Sequence, residues 1–178
     1  MLDIELDRRI AVVGCTGAGK STLAARLAVL IGASHTQLDN LYHGPNWTPR
    51  PDEDFRKDLM QTVSQEAWFI DGNYTAVRDQ IWPRATTLIW LDYSLTTCLL
   101  RLVPRTVRRA ARREIICNGN RETWRQSFAS SDSILLWAIR THKKIRERTA
   151  AYLAKPEHAH LRVIHCRRPR DADAITLR

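Results

Sequence analysis

Short apolar runs alternate with longer stretches of helical periodicity along this chain. The runs are rich in β-branched residues, which is typical of strands that are connected by helices. Five of them are predicted to be strands: Arg9–Gly14, Ser34–Leu38, Trp68–Asp71, Thr86–Asp92 and Leu161–Cys166. The run Leu88–Leu91 is apolar at every position, as expected of a parallel strand that is covered on both faces. The pattern therefore predicts an α/β fold with a parallel sheet between layers of helices.

The segments between the early strands contain clear helix and loop signals. One helix is predicted to begin at Ser21, directly after a glycine-rich turn. A second is predicted from Asp52 to about Gln65, because Pro51 and three acidic residues favour a helix N-terminus there. The stretch from Gly44 to Pro51 holds three prolines and is expected to be a loop.

A long helical region is predicted from Leu95 to Ala154, with an interruption near Cys117–Asn120. Pro104 predicts a break or a helix start between Arg101 and Arg105, because proline lacks the amide hydrogen that a helix interior needs. Such a break is what the edge of a moving lid requires.

Composition restricts the class of protein. The 178 residues are 44% hydrophobic and 26% charged, which fits one globular domain. No apolar run is long enough to span a membrane, and the N-terminus has acidic residues and no basic region, so no signal peptide is expected. The four cysteines show no C-x-x-C pair and no zinc spacing, so reduced thiols in a cytoplasmic protein are expected. The chain is expected to be a monomer or a homodimer.

The positive charge is concentrated in one segment. Between Arg101 and Arg148 lie 13 basic and 4 acidic residues, so this segment carries the whole net charge of +9. Such an imbalance predicts a polyanionic partner. Nucleotide phosphates in a cleft and the backbone of a nucleic acid both fit.

The most specific motif follows the first strand. Residues 14–21 match G-x-x-x-x-G-K-[ST], a P-loop that holds phosphate with backbone N–H groups at a helix N-terminus. Lys20 is expected to reach the β- and γ-phosphates of ATP, and the Ser21 hydroxyl is expected to bind Mg²⁺. The predicted nucleotide-binding residues here are Gly14, Cys15, Thr16, Gly17, Ala18, Gly19, Lys20, Ser21 and Thr22.

Carboxylates that end strands are the next candidates, because parallel sheets bind ligands at the carboxyl ends of their strands. Asp71 and Asp92 both end apolar runs in the manner of a Walker B strand, whose Asp holds Mg²⁺. We favour Asp71, because Gly72 and Asn73 beside it leave room for a substrate. Asp92 is better explained as part of a turn that caps the next helix, although it stays an alternative metal ligand.

Asp39 follows the second predicted strand. It is a candidate to orient or deprotonate an acceptor hydroxyl or to help hold the metal, and the competing interpretation is a turn or helix cap. The neighbouring His35 and His43 are not spaced as a metal pair, so surface or packing roles are predicted for both.

Arginines complete the candidate set. Arg101 and Arg105 lie one helical turn apart, and Arg140 lies on a later helix. Phosphoryl transfer needs positive charge around the moving phosphoryl group, which these residues can supply. Arg168, after the last strand, is predicted to stack its guanidinium on the adenine.

Taken together, these residues resemble an adenylate-kinase-like P-loop kinase. Within that group the chain is most similar to the FlaR-like, or DNA topology modulation, proteins. The blocks that carry the resemblance are the P-loop, Leu38-Asp39, Pro45–Trp47, Phe69–Tyr74, Leu91-Asp92, Arg101 with Arg105, Gly119–Glu122, Trp137 and Arg167–Pro169.

The resemblance implies a P-loop NTPase three-layer sandwich with a five-stranded parallel sheet in the order 2-3-1-4-5. It implies a single domain over residues 1–178, with an acceptor-binding insertion at about 40–66 and a basic helical lid at about 105–140. Arg101 and Arg105 would then be lid-hinge residues that touch ATP and the transferred phosphate, and Arg140 and Arg148 would lie on the returning helix. Adenylate kinases follow the third strand with Asp-Gly-Phe-Pro-Arg, whereas this chain has Asp71-Gly72-Asn73-Tyr74, which argues against AMP as the acceptor.

Two functions follow. The leading one is an ATP- and Mg²⁺-dependent phosphotransferase acting on a small acceptor such as a nucleoside, nucleotide or other metabolite. The alternative is an ATP-binding regulator of DNA topology that uses the basic segment on nucleic acid. A GTPase is disfavoured because the chain has no Asn-Lys-x-Asp motif, and an ABC-type ATPase because it has no Leu-Ser-Gly-Gly-Gln signature.

Overall fold

Five parallel strands form one sheet in the order β2-β3-β1-β4-β5, which confirms the predicted order. The computed structural model describes residues 2–3, 6–128 and 133–176. The strands are β1 (Arg9–Gly14), β2 (Ser34–Gln37), β3 (Trp68–Asp71), β4 (Thr87–Leu91) and β5 (Arg162–Cys166). Each therefore lies within one residue of its predicted bounds.

The connections between strands are mainly helical. The α-helices are α1 (Lys20–Ile31), α2 (Leu38–Tyr42), α3 (Asp52–Val63), α4 (Arg78–Ile81), α5 (Leu95–Arg112), α6 (Trp124–Phe128), α7 (Ile134–Leu153) and α8 (Pro169–Asp173). Short 3₁₀ turns occur at Pro45–Trp47, Thr75–Val77, Cys117–Gly119 and Pro156–His158. Among the described residues, no helix combines the length and the hydrophobicity that a membrane span needs.

Alternation along the central strand builds a core on each face of the sheet. Ile10 and Val12 of β1 pack with Leu27 of α1 on one face. Ala11 and Val13 pack on the other, where α3 and α4 contribute their apolar side chains. Because successive strand residues point to opposite faces, a nearly continuous apolar run supplies both cores. The predicted three-layer arrangement is confirmed.

The register brings the carboxyl ends of the strands to one edge. Asp71 of β3 lies opposite Val12 of β1 and opposite Gln37 of β2. On the other side of β1, Gly14 lies opposite Leu91 of β4. The segments that follow these strands must therefore meet, and they include the P-loop and Asp39.

The prediction of a break at Pro104 is wrong, because α5 continues through it from Leu95 to Arg112. Proline removes the hydrogen bond to the carbonyl four residues earlier, which here belongs to Leu100. Leu100 is 71% exposed and Pro104 is also exposed, so water can reach the face of the helix that loses this bond. The helix therefore keeps Arg101 and Arg105 on one rigid element.

The backbone at Gly72 lies so close to the side chain of Leu38 that any residue with a Cβ atom would clash there. Its φ is +143°, and a Cβ built there would lie 2.8 Å from the Cβ of Leu38, which is buried. The space at Gly72 is thus filled by Leu38, which corrects the expectation that it leaves room for a substrate.

We expect Gly72→Ala to lower the free energy of unfolding by about 2–4 kcal/mol, through overpacking and backbone strain. The measurement is the urea midpoint at unchanged m-value. Gly44→Ala is the matched control: Gly44 has φ −83°, and the nearest atom to a Cβ there is the Thr48 carbonyl oxygen at 3.5 Å. Equal losses in the two variants would contradict the assignment.

Candidate active site

The P-loop curls between β1 and α1 and leaves backbone amides open at the start of the helix. Gly19 is the N-cap of α1, with the left-handed angles φ 93° and ψ 24°, and as a glycine it offers no side chain to cap the first turn. No acidic residue occupies that first turn. Uncapped amides at the positive end of a helix dipole fit an anion such as a phosphate chain. Lys20 folds back over the loop, and its Nζ donates to the Cys15 carbonyl at 3.3 Å.

Cys15 turns its side chain into the protein. It is 5% exposed, and its Sγ lies 3.9 Å from the Ala138 carbonyl on α7. A hydrogen bond from the Cys98 thiol, aided by the nearby His142 and Lys20, lowers the pKa of Cys15 to about 7, although burial opposes the shift. Cys15 therefore contributes its backbone, but not its side chain, to the predicted phosphate cradle.

Two oxygen groups meet at the end of the P-loop. The Ser21 hydroxyl donates to Asp71 Oδ1 at 3.0 Å, and Asp71 is only 4% exposed. The donor set fits Mg²⁺, a hard cation that takes hydroxyl, carboxylate and water oxygens. Asp71 and Ser21 are thus the described groups placed to hold Mg²⁺ directly or through water.

His35 binds the other oxygen of the same carboxylate, with its Nε2 2.8 Å from Asp71 Oδ2. The surface or packing role predicted for His35 is incomplete, because the imidazole fixes the orientation of Asp71. The signal was the parity of β2: His35 and Gln37 share a face, and Gln37 lies opposite Asp71.

Asn73 clamps the start of the P-loop. The Gly14 amide donates to Asn73 Oδ1 at 3.2 Å, and Asn73 Nδ2 donates to the Gly14 carbonyl at 2.6 Å. This paired contact ties the segment after β3 to the end of β1. Its position two residues after Asp71 was visible in the sequence, but the role was not.

Asp39 lies in the first turn of α2 and is exposed at the same edge of the sheet. The Tyr74 hydroxyl donates to Asp39 Oδ1 at 2.7 Å and lies 3.3 Å from His43 Nε2. Burial, together with the Asp39 charge, raises the pKa of Tyr74 well above its ordinary value. Tyr74 therefore stays a neutral donor that fixes one carboxylate oxygen and leaves the other for a ligand.

The segment Cys117–Asn120 contacts α2, which carries Asp39, and the loop that follows this helix. Asn118 Nδ2 donates to the carbonyls of Asn40 and His43 at 2.7 and 2.5 Å. Asn120 accepts the Trp47 amide at 2.9 Å and donates to the Gly44 carbonyl at 2.9 Å. We call this set of contacts the asparagine bridge. It joins the predicted lid to the predicted acceptor-binding insertion, and the sequence did not reveal it.

Arg101 lies against the P-loop, and Arg105 lies near Asp39. Arg101 Nη1 donates to the Ala18 carbonyl at 3.1 Å. Arg105 lies one turn further along α5, and burial lowers the pKa of its guanidinium, whereas the nearby Glu122 and Asp39 raise it. The Nε of Arg105 is buried with no hydrogen-bond partner among the described residues. An unpartnered buried donor in this position is available to an anionic ligand.

The remaining candidates are Arg140, Arg168 and Asp92. Arg140 is exposed on α7, and Arg168 is exposed at the N-cap of α8, where its backbone amide is held by Asp171 at 2.8 Å. Their predicted contacts with phosphate and adenine stay predictions.

The carboxylate of Asp92 forms an ion pair with Arg146 at 3.1 Å and a hydrogen bond with His165 of β5 at 2.9 Å, so both of its oxygens have partners on the β4–β5 side of the fold. Part of the predicted lid, residues 129–132, lies outside the described residues.

Several charges of the basic segment have acidic partners. Arg109 binds Glu122 at 2.9 Å and Arg108 binds Glu114 at 3.3 Å. The predictions of nucleic-acid binding and of oligomeric state are not supported by any feature described here.

Comparison with known proteins supports the fold. No protein-family model and no curated protein sequence matches the chain. Solved structures do. A gluconokinase from Sinorhizobium meliloti 1021 aligns with TM-score 0.51 and 17% identity over 94% of this chain and 90% of that one.

Two shikimate kinases are also similar in structure. The enzyme from Acinetobacter baumannii, in complex with shikimate, aligns with TM-score 0.50 and 18% identity over 93% of this chain and 87% of its own. The enzyme from Bacteroides thetaiotaomicron gives TM-score 0.54 and 16% identity over 94% and 93%. These neighbours do not support the FlaR-like resemblance specifically, nor do they favour the DNA-binding alternative. Sheet order, P-loop and structural neighbours agree that this chain has the fold of the P-loop small-molecule kinases.

Proposed function

We propose that this protein is an ATP- and Mg²⁺-dependent phosphotransferase that acts on a small hydroxylated acceptor. The observation that carries the proposal is the contact of Ser21 with Asp71 at 3.0 Å at the end of the P-loop, with Asp39 following the adjacent strand. One edge of the sheet thus presents phosphate-binding amides, oxygen ligands for a metal and a separate carboxylate. Phosphoryl transfer needs these three elements.

The P-loop and α5 would hold the donor. The amides at the start of α1 bind the phosphate chain, and Lys20 leaves the Cys15 carbonyl to reach the β- and γ-phosphates. Bound Mg²⁺, held by Ser21 and Asp71, would neutralise charge on the phosphate oxygens. Arg101, which already contacts the loop at Ala18, adds positive charge beside the phosphoryl group.

Asp39 would receive the acceptor. The carboxylate oxygen that Tyr74 does not bind accepts the proton of the acceptor hydroxyl. At the same time the hydroxyl oxygen of the acceptor forms its bond to the γ-phosphorus. The bond from the γ-phosphorus to the oxygen that bridges to the β-phosphate breaks, so ADP departs and the phosphorylated acceptor remains. Tyr74 holds the carboxylate in place through the bond at 2.7 Å.

The acceptor is expected to carry an anionic group in addition to the hydroxyl. Arg105 supplies a buried guanidinium near Asp39, and its Nε has no hydrogen-bond partner in the described part of the chain. A guanidinium fork fits a carboxylate or phosphate and is charged at any physiological pH. The names of two structural neighbours, a gluconokinase and a shikimate kinase, support a small hydroxylated carboxylic acid over an AMP-like acceptor.

A screen of ADP release tests the proposal. Purified full-length protein with Mg·ATP is offered small sugar acids, nucleosides and nucleoside monophosphates, each with and without a chelator and with and without double-stranded DNA. We expect acceptor-dependent ADP release that requires Mg²⁺ and is strongest with a hydroxylated carboxylate. ADP release that depends on DNA alone, or no binding of Mg·ATP at all, would overturn the proposal.

A further inference from the structure

Two thiols and an imidazole converge behind the P-loop. Cys15 lies in the loop, Cys98 on α5 and His142 on α7, and one ligand atom from each lies within 4.8 Å of the other two. The two cysteines are buried at 5% and 0% exposure. We call these three residues the thiol–imidazole cluster. The proposed phosphoryl transfer uses none of their side chains.

The backbone holds the cluster close together. A Cβ built at Gly17 would lie only 2.6 Å from the Cys98 carbonyl oxygen, so α5 packs directly on the P-loop at this point. Cys15 Sγ also contacts the Ala138 carbonyl of α7. Three separate elements therefore deliver the three groups to one spot.

The imidazole is oriented in the way that metal-binding histidines are. His142 Nε2 lies 2.9 Å from the Tyr93 carbonyl oxygen. Because a carbonyl only accepts hydrogen bonds, Nε2 is the donor in this contact, which leaves Nδ1 as the nitrogen through which the neutral ring can bind a metal. Metal-binding histidines commonly donate their other ring N–H to a backbone carbonyl or a carboxylate in this way.

Solvent can reach the cluster. A small cavity is lined by Cys15, Asp92, Tyr93, His142 and Arg146, among others. It gives an ion a route to Cys15 and His142, behind which Cys98 is fully buried.

We propose that Cys15, Cys98 and His142 form a binding site for Zn²⁺ that links the P-loop to α5 and α7. A site with two thiolates and one imidazole binds zinc in preference to magnesium or calcium, which prefer oxygen ligands. With Zn–S bonds of about 2.3 Å and a Zn–N bond of about 2.0 Å, tetrahedral ligand atoms lie about 3.5–3.8 Å apart. The distances between the ligand atoms, at most 4.8 Å, need to shorten by no more than about 1.3 Å to reach this geometry.

A Co²⁺ titration of the full-length protein tests the site without reference to turnover. The protein is kept reduced with a non-thiol reductant, so that both thiols stay free. We expect one equivalent of Co²⁺ to produce a thiolate-to-cobalt charge-transfer band, which one equivalent of Zn²⁺ then removes. Zn²⁺ should also raise the midpoint of thermal unfolding.

Variants decide which residues bind. Cys98→Ser and His142→Gln should each weaken Zn²⁺ at least tenfold, whereas Cys166→Ser and Cys117→Ser should bind as the native chain does. His142 is partly exposed, so His142→Gln decides the outcome by itself if Cys98→Ser fails to fold. Absence of the band in the native protein, or its persistence in His142→Gln with native affinity, would overturn the proposal.

Discussion

Lys20→Ala is expected to lower turnover by at least about a hundredfold while leaving the fold intact. Removing one charged donor from a developing phosphoryl transition state typically has an effect of this size. Among the described residues, Lys20 Nζ hydrogen-bonds to the Cys15 carbonyl, and Lys20 is not part of the buried core, so its loss removes no core packing. The measurement is the initial rate of ADP formation at saturating Mg·ATP with the acceptor identified by the screen.

A control variant separates a local effect from a general loss of charge. Lys144→Ala removes an exposed lysine from α7 and should keep the native rate. Circular dichroism and the urea midpoint of Lys20→Ala should match those of the native chain. Turnover that survives in Lys20→Ala would remove this residue from the proposed chemistry.

The second large effect concerns the acceptor. Asp39→Asn is expected to lower kcat/KM for the acceptor by about 10²–10⁴, the usual contribution of a general base. The affinity for Mg·ADP, measured by calorimetry, should stay within about twofold, because Ser21 and Asp71 rather than Asp39 are placed to serve the metal. Asn keeps the size of the side chain and an oxygen that can accept from Tyr74.

The proposal is tested by whether Asp39→Asn lowers kcat/KM for the acceptor while it leaves the affinity for Mg·ADP unchanged. Asp54→Asn, on an exposed position of α3, is the matched control and should change neither quantity. Equal losses of acceptor use and of Mg·ADP binding in Asp39→Asn would move Asp39 into the metal shell instead.

Local patterns determine much of this fold. Strands that are buried on both faces are apolar at nearly every position, so they can be predicted from the sequence. The P-loop motif likewise predicts the turn between β1 and α1. From these, the ends of the parallel strands followed, and so did the meeting of Ser21 with Asp71. The prediction of a break at Pro104 was wrong because it assumed that the carbonyl that loses its hydrogen bond would be buried. Pro104 lies on the exposed face of α5, where water can bind that carbonyl instead.

Contacts between distant segments could not be predicted in the same way. Cys15, Cys98 and His142 have no metal-type spacing along the chain, and only the packing of α5 and α7 on the P-loop unites them. His35 looked like a surface residue until the pairing of β2 with β3 placed it beside Asp71. In both cases the information lies in tertiary packing rather than in local sequence.

The asparagine bridge has an implication for how such a protein diversifies. The hydrogen bonds described between the side chains of Asn118 and Asn120 and residues 40–47 all go to main-chain groups, and Cys117 likewise donates to the Asp39 carbonyl. Main-chain partners look the same whichever side chains the loop bears. Exchange of the side chains of residues 40–47 can therefore alter the proposed acceptor specificity while the asparagine bridge keeps its hydrogen bonds, so that specificity and this contact are free to evolve separately.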